Sequence, residues 1–243
     1  MVRFFVAQED MKPDFLVLTG ENAAHAKVLR LKCGEQVLVC DGEGNESICT
    51  ISDVSPGQIS LVVDSTATSD SEPKVKASIY MAYAKGDKLE HVIQKATELG
   101  AHEIVAFPSA RCVSRPDEKS LAKKLERWQK IAVSAAEQSG RGRIPRVITL
   151  DSYQAALNRA MQADLAILFY ENEHATTLHM ALEQNEFASI SLLTGPEGGL
   201  EEREVMMAKD AGFQICTLGS RILRCETAPL CALSAVMYAS GEF

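Results

Sequence analysis

No apolar run in the 243-residue chain approaches the ~18 residues that a membrane span requires. The stretch from Met1 is interrupted by Gln8, Glu9 and Asp10 before a secretory core could form, so the chain reads as cytoplasmic, with no membrane partner. Positive charge is scarce: 25 Lys and Arg stand against 33 Asp and Glu, a net charge of −8 with a pI near 5.2. A general nucleic-acid binder with a broad basic face is thereby disfavoured. Among the 7 cysteines (Cys33, Cys40, Cys49, Cys112, Cys216, Cys225 and Cys231) there is no C-x-x-C pair, and the odd number argues against a disulfide framework. They read as reduced thiols. The 5 histidines lack metal-ligand spacing, and no metal is expected. Gly-x-Ser-x-Gly, Gly-x-Gly-x-x-Gly and the phosphate loop ending in Lys-Ser/Thr are absent too, which removes the common nucleophile elbow and nucleotide folds.

Against those absences stand two strand–loop–helix units near the C-terminus. Residues 189–194 are a short, mainly apolar run, followed by Gly195, Pro196, Glu197, Gly198 and Gly199, with Glu201, Glu202 and Glu204 in the first turn of a helix. Three glycines there permit positive φ and close backbone approach. The second unit repeats the plan: strand 214–218, Gly219 at the turn, and Pro229 at the start of a helix carrying Leu230, Leu233 and Met237. If the two strands lie in one sheet, the loops form one pocket. Acidic residues beside the first loop disfavour a phosphate ligand.

The chain divides by pattern at the polar, proline-ended stretch 66–73 into domains at 1–72 and 73–243. In the first, β-rich runs at 15–18, 36–40, 47–51 and 58–63, separated by glycine turns, have the spacing of a small barrel, and 21–31 reads as helix. From Ala77 strands and helices alternate: 78–83 then 87–99, 104–107 then 118–139, 165–170 then a weaker helix, then the two units above. That alternation predicts a parallel sheet covered on both faces, an α/β fold. Asp87 is the expected N-cap of the helix bearing Leu89, Val92, Ile93, Ala96 and Leu99, and Gly100 its stop. Trp128 falls in register with Leu121, Leu125, Ala132 and Ala135 and is assigned to the core.

Basic residues are few but clustered. The segment from Arg111 to Arg146 concentrates them; Lys119 to Lys130 fits a solvated helix face, whereas Arg141, Arg143 and Arg146 in a glycine-bearing loop read as holders of RNA phosphates.

Gly195-Pro-Glu-Gly-Gly199 and the run 218–227 (Leu-Gly-Ser-Arg-Ile-Leu-Arg-Cys-Glu-Thr) together resemble the RsmE family of methyltransferases, as do 137–141, 95–100, 109–112 and 25–30. The resemblance spans nearly the whole chain and implies a SPOUT-class domain with a trefoil knot preceded by a PUA-like barrel. It also implies S-adenosylmethionine as cofactor, N3 of a uridine in the 16S RNA of the small ribosomal subunit as target, and a homodimer. The cofactor would lie against Glu171, Thr194, Gly195, Pro196, Gly198, Gly199, Leu218, Gly219, Ile222, Leu223 and Thr227. Arg224 is the expected stabiliser of developing charge; Glu226 is either the base or an ion-pair brace of its loop. RNA would be held by Arg3, Arg30 and the three loop arginines. Cys225, where the family more often has Thr, is assigned to packing, since direct methyl transfer needs no covalent enzyme intermediate. A non-catalytic RNA-binding or ribosome-assembly module is the alternative, and tight cofactor binding separates the two.

Overall fold

The computed structural model describes residues 1–113 and 115–243, which divide into two compact units: Met1–Glu72 with Ala136–Ile144, and Pro73–Ala135 with Pro145–Phe243.

The first unit is a five-stranded sheet in the order β1-β3-β4-β5-β2, built from β1 (Val2–Phe5), β2 (Phe15–Thr19), β3 (Gln36–Cys40), β4 (Asn45–Ser55) and β5 (Gln58–Thr68), with α1 (Gly20–Val28) beside it. β1 joins β3 in parallel and the other neighbours are antiparallel. Period-two alternation sends Leu16 and Leu18, Val37 and Val39, Cys49 and Ile51, Ile59 and Leu61 to one face, where they close on Phe4 and Ala26. Ser55 pairs with Gln58 across a tight turn in which Pro56 supplies the fixed φ and Gly57, at φ 79°, the left-handed position. β1 was not foreseen, and β5 extends into what reads as linker, because its outer residues carry Ser, Thr and Ala in place of bulky β-formers.

The second unit is a wholly parallel sheet in the order β11-β9-β10-β6-β7-β8. Its strands are β6 (Lys76–Ala82), β7 (Glu103–Phe107), β8 (Arg146–Thr149), β9 (Leu165–Phe169), β10 (Ser189–Thr194) and β11 (Gln214–Cys216). Its helices are α2 (Lys88–Glu98), α3 (Glu118–Ser139, whose last four residues belong to the first unit), α4 (Tyr153–Ala160), α5 (Leu178–Glu183), α6 (Glu202–Ala211) and α7 (Ala228–Ala239). Strands buried on both faces read as near-continuous apolar runs, as all five residues of β9 do. On α2 the stripe Leu89, Val92, Ile93 and Ala96 is buried and Leu99 half-buried; Trp128 of α3 is buried beside Tyr83, ring centroids 6.5 Å apart.

Two local expectations are corrected. Asp87 precedes α2 but its carboxylate makes no cap bond, because its backbone (φ −97°, ψ 7°) is not in the extended conformation a capping side chain needs. Arg146 is not a loop residue: it opens β8, which with α4 forms a further β–α unit capped by Ser152, whose hydroxyl accepts from the Ala155 amide at 3.1 Å.

The order of strands positions the site. β10 lies between β9 and β6, while β7 and β8 extend the sheet from the far side of β6, so the connections change direction at β6. Ligand crevices of open parallel sheets lie outside the carboxyl ends of strands at such a change.

Candidate functional site

A cavity of about 440 Å³ sits at the carboxyl ends of β9, β10 and β11, within the range of small-molecule sites, and is walled by the three segments that leave those strands. From β9 come Phe169, Tyr170 and Glu171; from β10, residues 194–200; from β11, residues 217–225. Lys88, at the start of α2, and His174 complete the wall beside Ala228. Both glycine loops therefore face one space.

The first loop is fixed from several sides. Gly199 has φ 68°, and a β-carbon there would run into the carboxylate of Glu171. At Gly195 a β-carbon would lie 3.0 Å from Leu200 Cγ and 3.2 Å from the Gly199 carbonyl carbon, so the loop's own return path excludes it. At Gly198 a β-carbon would lie 3.1 Å from Arg111 Cβ, and the Arg111 guanidinium donates to the Gly198 carbonyl at 3.0 Å. Behind the loop, Glu201 and Glu204 form a reciprocal capping box for α6. Glu204 is only 5% exposed, and its second oxygen accepts from the Ala110 amide at 2.8 Å, joining the 109–112 segment to the helix.

The second loop is held more lightly. Gly219, at φ 103°, has open space where a β-carbon would stand, and the Thr217 hydroxyl bonds to its amide and carbonyl at 3.2 and 3.1 Å. Ser220, Arg221, Ile222 and Arg224 are exposed, Ile222 by 86%. The loop ends where the Thr227 and Ala228 amides donate to the Arg224 carbonyl at 2.8 and 3.0 Å, turning the chain into α7.

Every residue expected against the cofactor lines the cavity except Thr227, which precedes α7; Arg224 lines it, and Glu226 does not. Three lining residues of consequence were not foreseen: Lys88, Glu197 and Tyr170. Lys88 Nζ lies 3.2 Å from Glu197 Oε1 and 3.6 Å from Glu226 Oε2. Bonding to Glu197 raises the Lys88 pKa above its ordinary value, helped by the charge of Glu226. For Glu226, burial opposes ionisation, but its own backbone N–H, the Cys225 thiol, Lys88 and Arg224 outweigh it and the carboxyl sits below its usual range. Glu197 behaves alike: burial is overcome by its own and the Lys85 backbone N–H and by Lys88. Burial pushes the Cys225 thiol up to about 12, so at neutral pH it is a protonated donor, 3.3 Å from Glu226 Oε2. Its 9% exposure agrees with packing.

The arginines expected on RNA fare unevenly. Arg141 is corrected: it is 3% exposed, and its Nε and Nη2 donate to the Glu72 carboxylate at 3.3 and 2.6 Å. A guanidinium enclosed with its counter-ion has no path to a phosphate. Arg3 is largely committed as well, with Nη1 at 3.0 Å from Glu46 and 2.9 Å from Cys40 Sγ. Arg143 pairs with Glu43 at 3.3 Å but remains partly exposed; Arg30, in left-handed backbone at φ 58°, and Arg146 are exposed. Among the described residues no His, Cys, Asp and Glu group is arranged to hold a metal.

A family model described as RNA methyltransferase domain matches residues 71–237, and one described as RNA methyltransferase PUA domain matches residues 18–64. A Bacillus subtilis (strain 168) protein named ribosomal RNA small subunit methyltransferase E is 40% identical over 98% of this chain and 96% of its own length. The crystal structure of the protein of that name from Neisseria gonorrhoeae, bound to S-adenosyl methionine, superposes with a TM-score of 0.87 at 31% identity, covering 98% of this chain and 97% of that one. A Legionella pneumophila protein described as a methyltransferase in complex with SAM gives 0.86 at 29% identity, with coverage of 98% and 97%.

Proposed function

We propose, from the premise that this chain belongs to the family of ribosomal RNA small subunit methyltransferase E, that it transfers a methyl group from S-adenosylmethionine to N3 of a uridine in 16S ribosomal RNA. Methylation of small-subunit ribosomal RNA with that donor follows from membership; the choice of N3 is the finer part of the proposal. The observation that carries it is the chemistry of the cavity wall. Glu171 and Glu197 line a space edged by backbone of two glycine loops, which suits a cationic sulfonium with a ribose and an adenine and repels a phosphate.

When bound, the cofactor supplies a methyl group on a positively charged sulfur that keeps the bonding electron pair as the methyl leaves. Backbone groups of Thr194, Gly195, Leu218 and Leu223 would hold the adenine and ribose, and Glu171 would accept from the ribose hydroxyls. A uridine N3 carries a proton near neutrality, so the chain must remove it and steady the resulting charge. Glu226, ionised at neutral pH, accepts the proton. Arg224, exposed on the cavity wall, stabilises the imidate oxygens. Cys225 remains a thiol and takes no covalent part.

The reading includes a homodimer, supported by exposed apolar side chains near the C-terminus, Ile222, Tyr238 (75%) and Phe243 (67%). It also includes a trefoil knot around the second loop, as the family resemblance implies. The division at 72/73 into an RNA-gripping domain and a catalytic domain belongs to it, with Arg30, Arg143 and Arg146 as phosphate contacts. No helix among the described residues is long and apolar enough to cross a membrane, and a cytoplasmic ribosomal substrate is consistent with that.

Incubating the protein with S-adenosylmethionine and small subunits from a strain lacking the modification, then digesting the RNA for nucleoside mass spectrometry, tests the reading. N3-methyluridine is the expected product. A methyl on another atom would move the target, and no methyl at all would remove the activity.

A further inference from the structure

We propose that Lys88 is a positioning residue of the methyl-transfer site, its ammonium tying the carboxylate of the first loop to that of the second and holding Glu226 in place beside the cavity. This inference rests on the methyltransferase reading and deepens it. Lys88 opens α2 at the carboxyl end of β6, so a fourth strand contributes to a site whose loops come from β10 and β11. Its Nζ is 3.2 Å from Glu197, 3.6 Å from Glu226 and 4.0 Å from Cys225 Sγ. An isolated pair this exposed, with side chains 27%, 24% and 23% accessible, would contribute little. What distinguishes the arrangement is one cation between two carboxylates. Without it, Glu197 in the cavity wall and Glu226 beside it are two like charges with no cation between them.

The two carboxylates do not depend on Lys88 equally. Glu197 Oε1 also accepts from the Lys85 backbone amide at 2.8 Å, an anchor from the β6–α2 turn that survives loss of the ammonium. Among the described residues Glu226 has no such anchor from a second element. Among the described residues, the other groups facing it are its own backbone N–H, the adjoining Cys225 thiol and Arg224, with Glu197 across the ammonium. Lys88 is thus what ties Glu226 to the sheet from outside its own loop. In the proposed step the imide proton passes to a Glu226 oxygen, the electron pair left on N3 forms the bond to the methyl carbon, and the carbon–sulfur pair stays on sulfur; the proton then leaves to solvent. A Glu226 that drifts or protonates stops the first transfer while leaving the cofactor's cradle intact.

Full-length Lys88→Met and Lys88→Arg are compared with wild type for S-adenosylmethionine affinity by calorimetry, and for kcat, KM and the pH profile of methyl transfer to unmodified small subunits. For Lys88→Met, kcat should fall on the order of 10- to 100-fold, less than the roughly 100- to 10,000-fold of a whole general-base contribution because Lys88 acts through Glu226, with cofactor Kd within about threefold. Its acid limb should move up by about half to one pH unit, because a carboxyl that loses a cationic neighbour protonates earlier. Lys88→Arg should recover most of the rate. In a Glu226→Gln background, Lys88→Met should cost no more than about threefold, since the two act as one unit. Wild-type kcat in Lys88→Met, an unmoved acid limb, or equal losses in the two backgrounds would overturn the positioning role while leaving the methyltransferase reading standing. A wild-type protein that binds no S-adenosylmethionine and methylates no ribosomal RNA would overturn that reading, and this inference with it.

Discussion

The loop at residues 140–145 and the loop at 195–199 look alike as sequence, each rich in glycine, charged and following a regular element, yet the structure uses them oppositely. In the first, the donors turn inward. Arg141 and the Arg143 amide bond to Glu72, the Gly142 amide donates to Ser71 Oγ at 3.2 Å, and a β-carbon on Gly142 would overlap the Ser69 side chain. In the second, packing fixes the backbone from behind while its front faces a cavity of about 440 Å³. A glycine-rich charged loop is a site when its own fold leaves its polar groups unspent, and a brace when it consumes them.

The largest effect expected from this contrast is in stability. Arg141→Ala leaves the Glu72 carboxylate, 18% exposed, without its guanidinium, and breaking one partner of such a buried pair costs about 3–5 kcal/mol. For a chain of 243 residues that corresponds to a Tm lower by roughly 10 °C, read by calorimetric melting. Cofactor affinity at low temperature and the salt dependence of RNA binding should not change. A variant that melts with wild type but loses RNA affinity would make the first loop a site after all.

Next in size is Gly199→Ala, which tests the front of the second loop. The residue sits at φ 68°, where any L side chain costs about 1–2 kcal/mol, and the added carbon meets the Glu171 carboxylate. Calorimetric affinity for S-adenosylmethionine should fall by at least about tenfold, since the variant must displace a lining carboxylate as well as absorb the strain. Gly219→Ala is the control: its φ of 103° is also unfavourable to alanine, but nothing stands where the carbon would go, so only a few-fold loss is expected. Equal losses would mean that conformation alone, and not the approach to Glu171, governs the first loop.

Much of this molecule is legible from local pattern. The runs at β3, β10 and α3 have the lengths and periodicities that their burial demands, and the two glycine loops announce a shared pocket because their strands are apolar and their helices carry clear start signals. What escaped is either short or distant. β8 has four residues, of which only Val147 is fully buried, so its period is too brief to register. Glu72 lies 69 residues before Arg141, and Cys225 lies 137 after Lys88, so neither the brace nor the clamp leaves a mark in its neighbourhood. Charge pairing is a tertiary fact. Few acids adjoin the loop at 140–145 in sequence, and the structure supplies Glu72 from elsewhere.

Behind the second loop, Glu204→Gln should have a smaller effect. Both carboxylate oxygens accept backbone N–H groups, Ala110 at 2.8 Å and Glu201 at 2.9 Å, and an amide can satisfy only one of them. Leaving one buried donor opposed costs about 1–3 kcal/mol, visible as a lower denaturation midpoint. Because the loop feeds directly into α6, cofactor affinity should weaken by a few-fold alongside. Unchanged affinity with lost stability would show that the loop is set by Gly195 and Leu200 alone.

The smallest effect concerns two less buried arginines, Arg143 of the first loop and Arg146 at the start of β8. Arg143 pairs with Glu43 at 3.3 Å, with side chains 33% and 47% exposed, and Arg146 opens β8 on the surface. Exposed pairs contribute about 0–1 kcal/mol, so Arg143→Ala and Arg146→Ala, alone or together, should melt close to wild type. If each neutralises an RNA phosphate, each removal should lower the slope of log K against log salt by about 0.7, the single-strand increment, and the double variant by about twice that. The loss should be similar for unrelated RNAs, because a phosphate contact carries no base identity. Measured beside Arg141→Ala, the double variant separates the two uses of arginine within seven residues: stability without slope for the buried guanidinium, slope without stability for the exposed pair. A wild-type slope in the double variant would assign the whole loop to bracing and leave Arg30 as the exposed phosphate contact of the first unit.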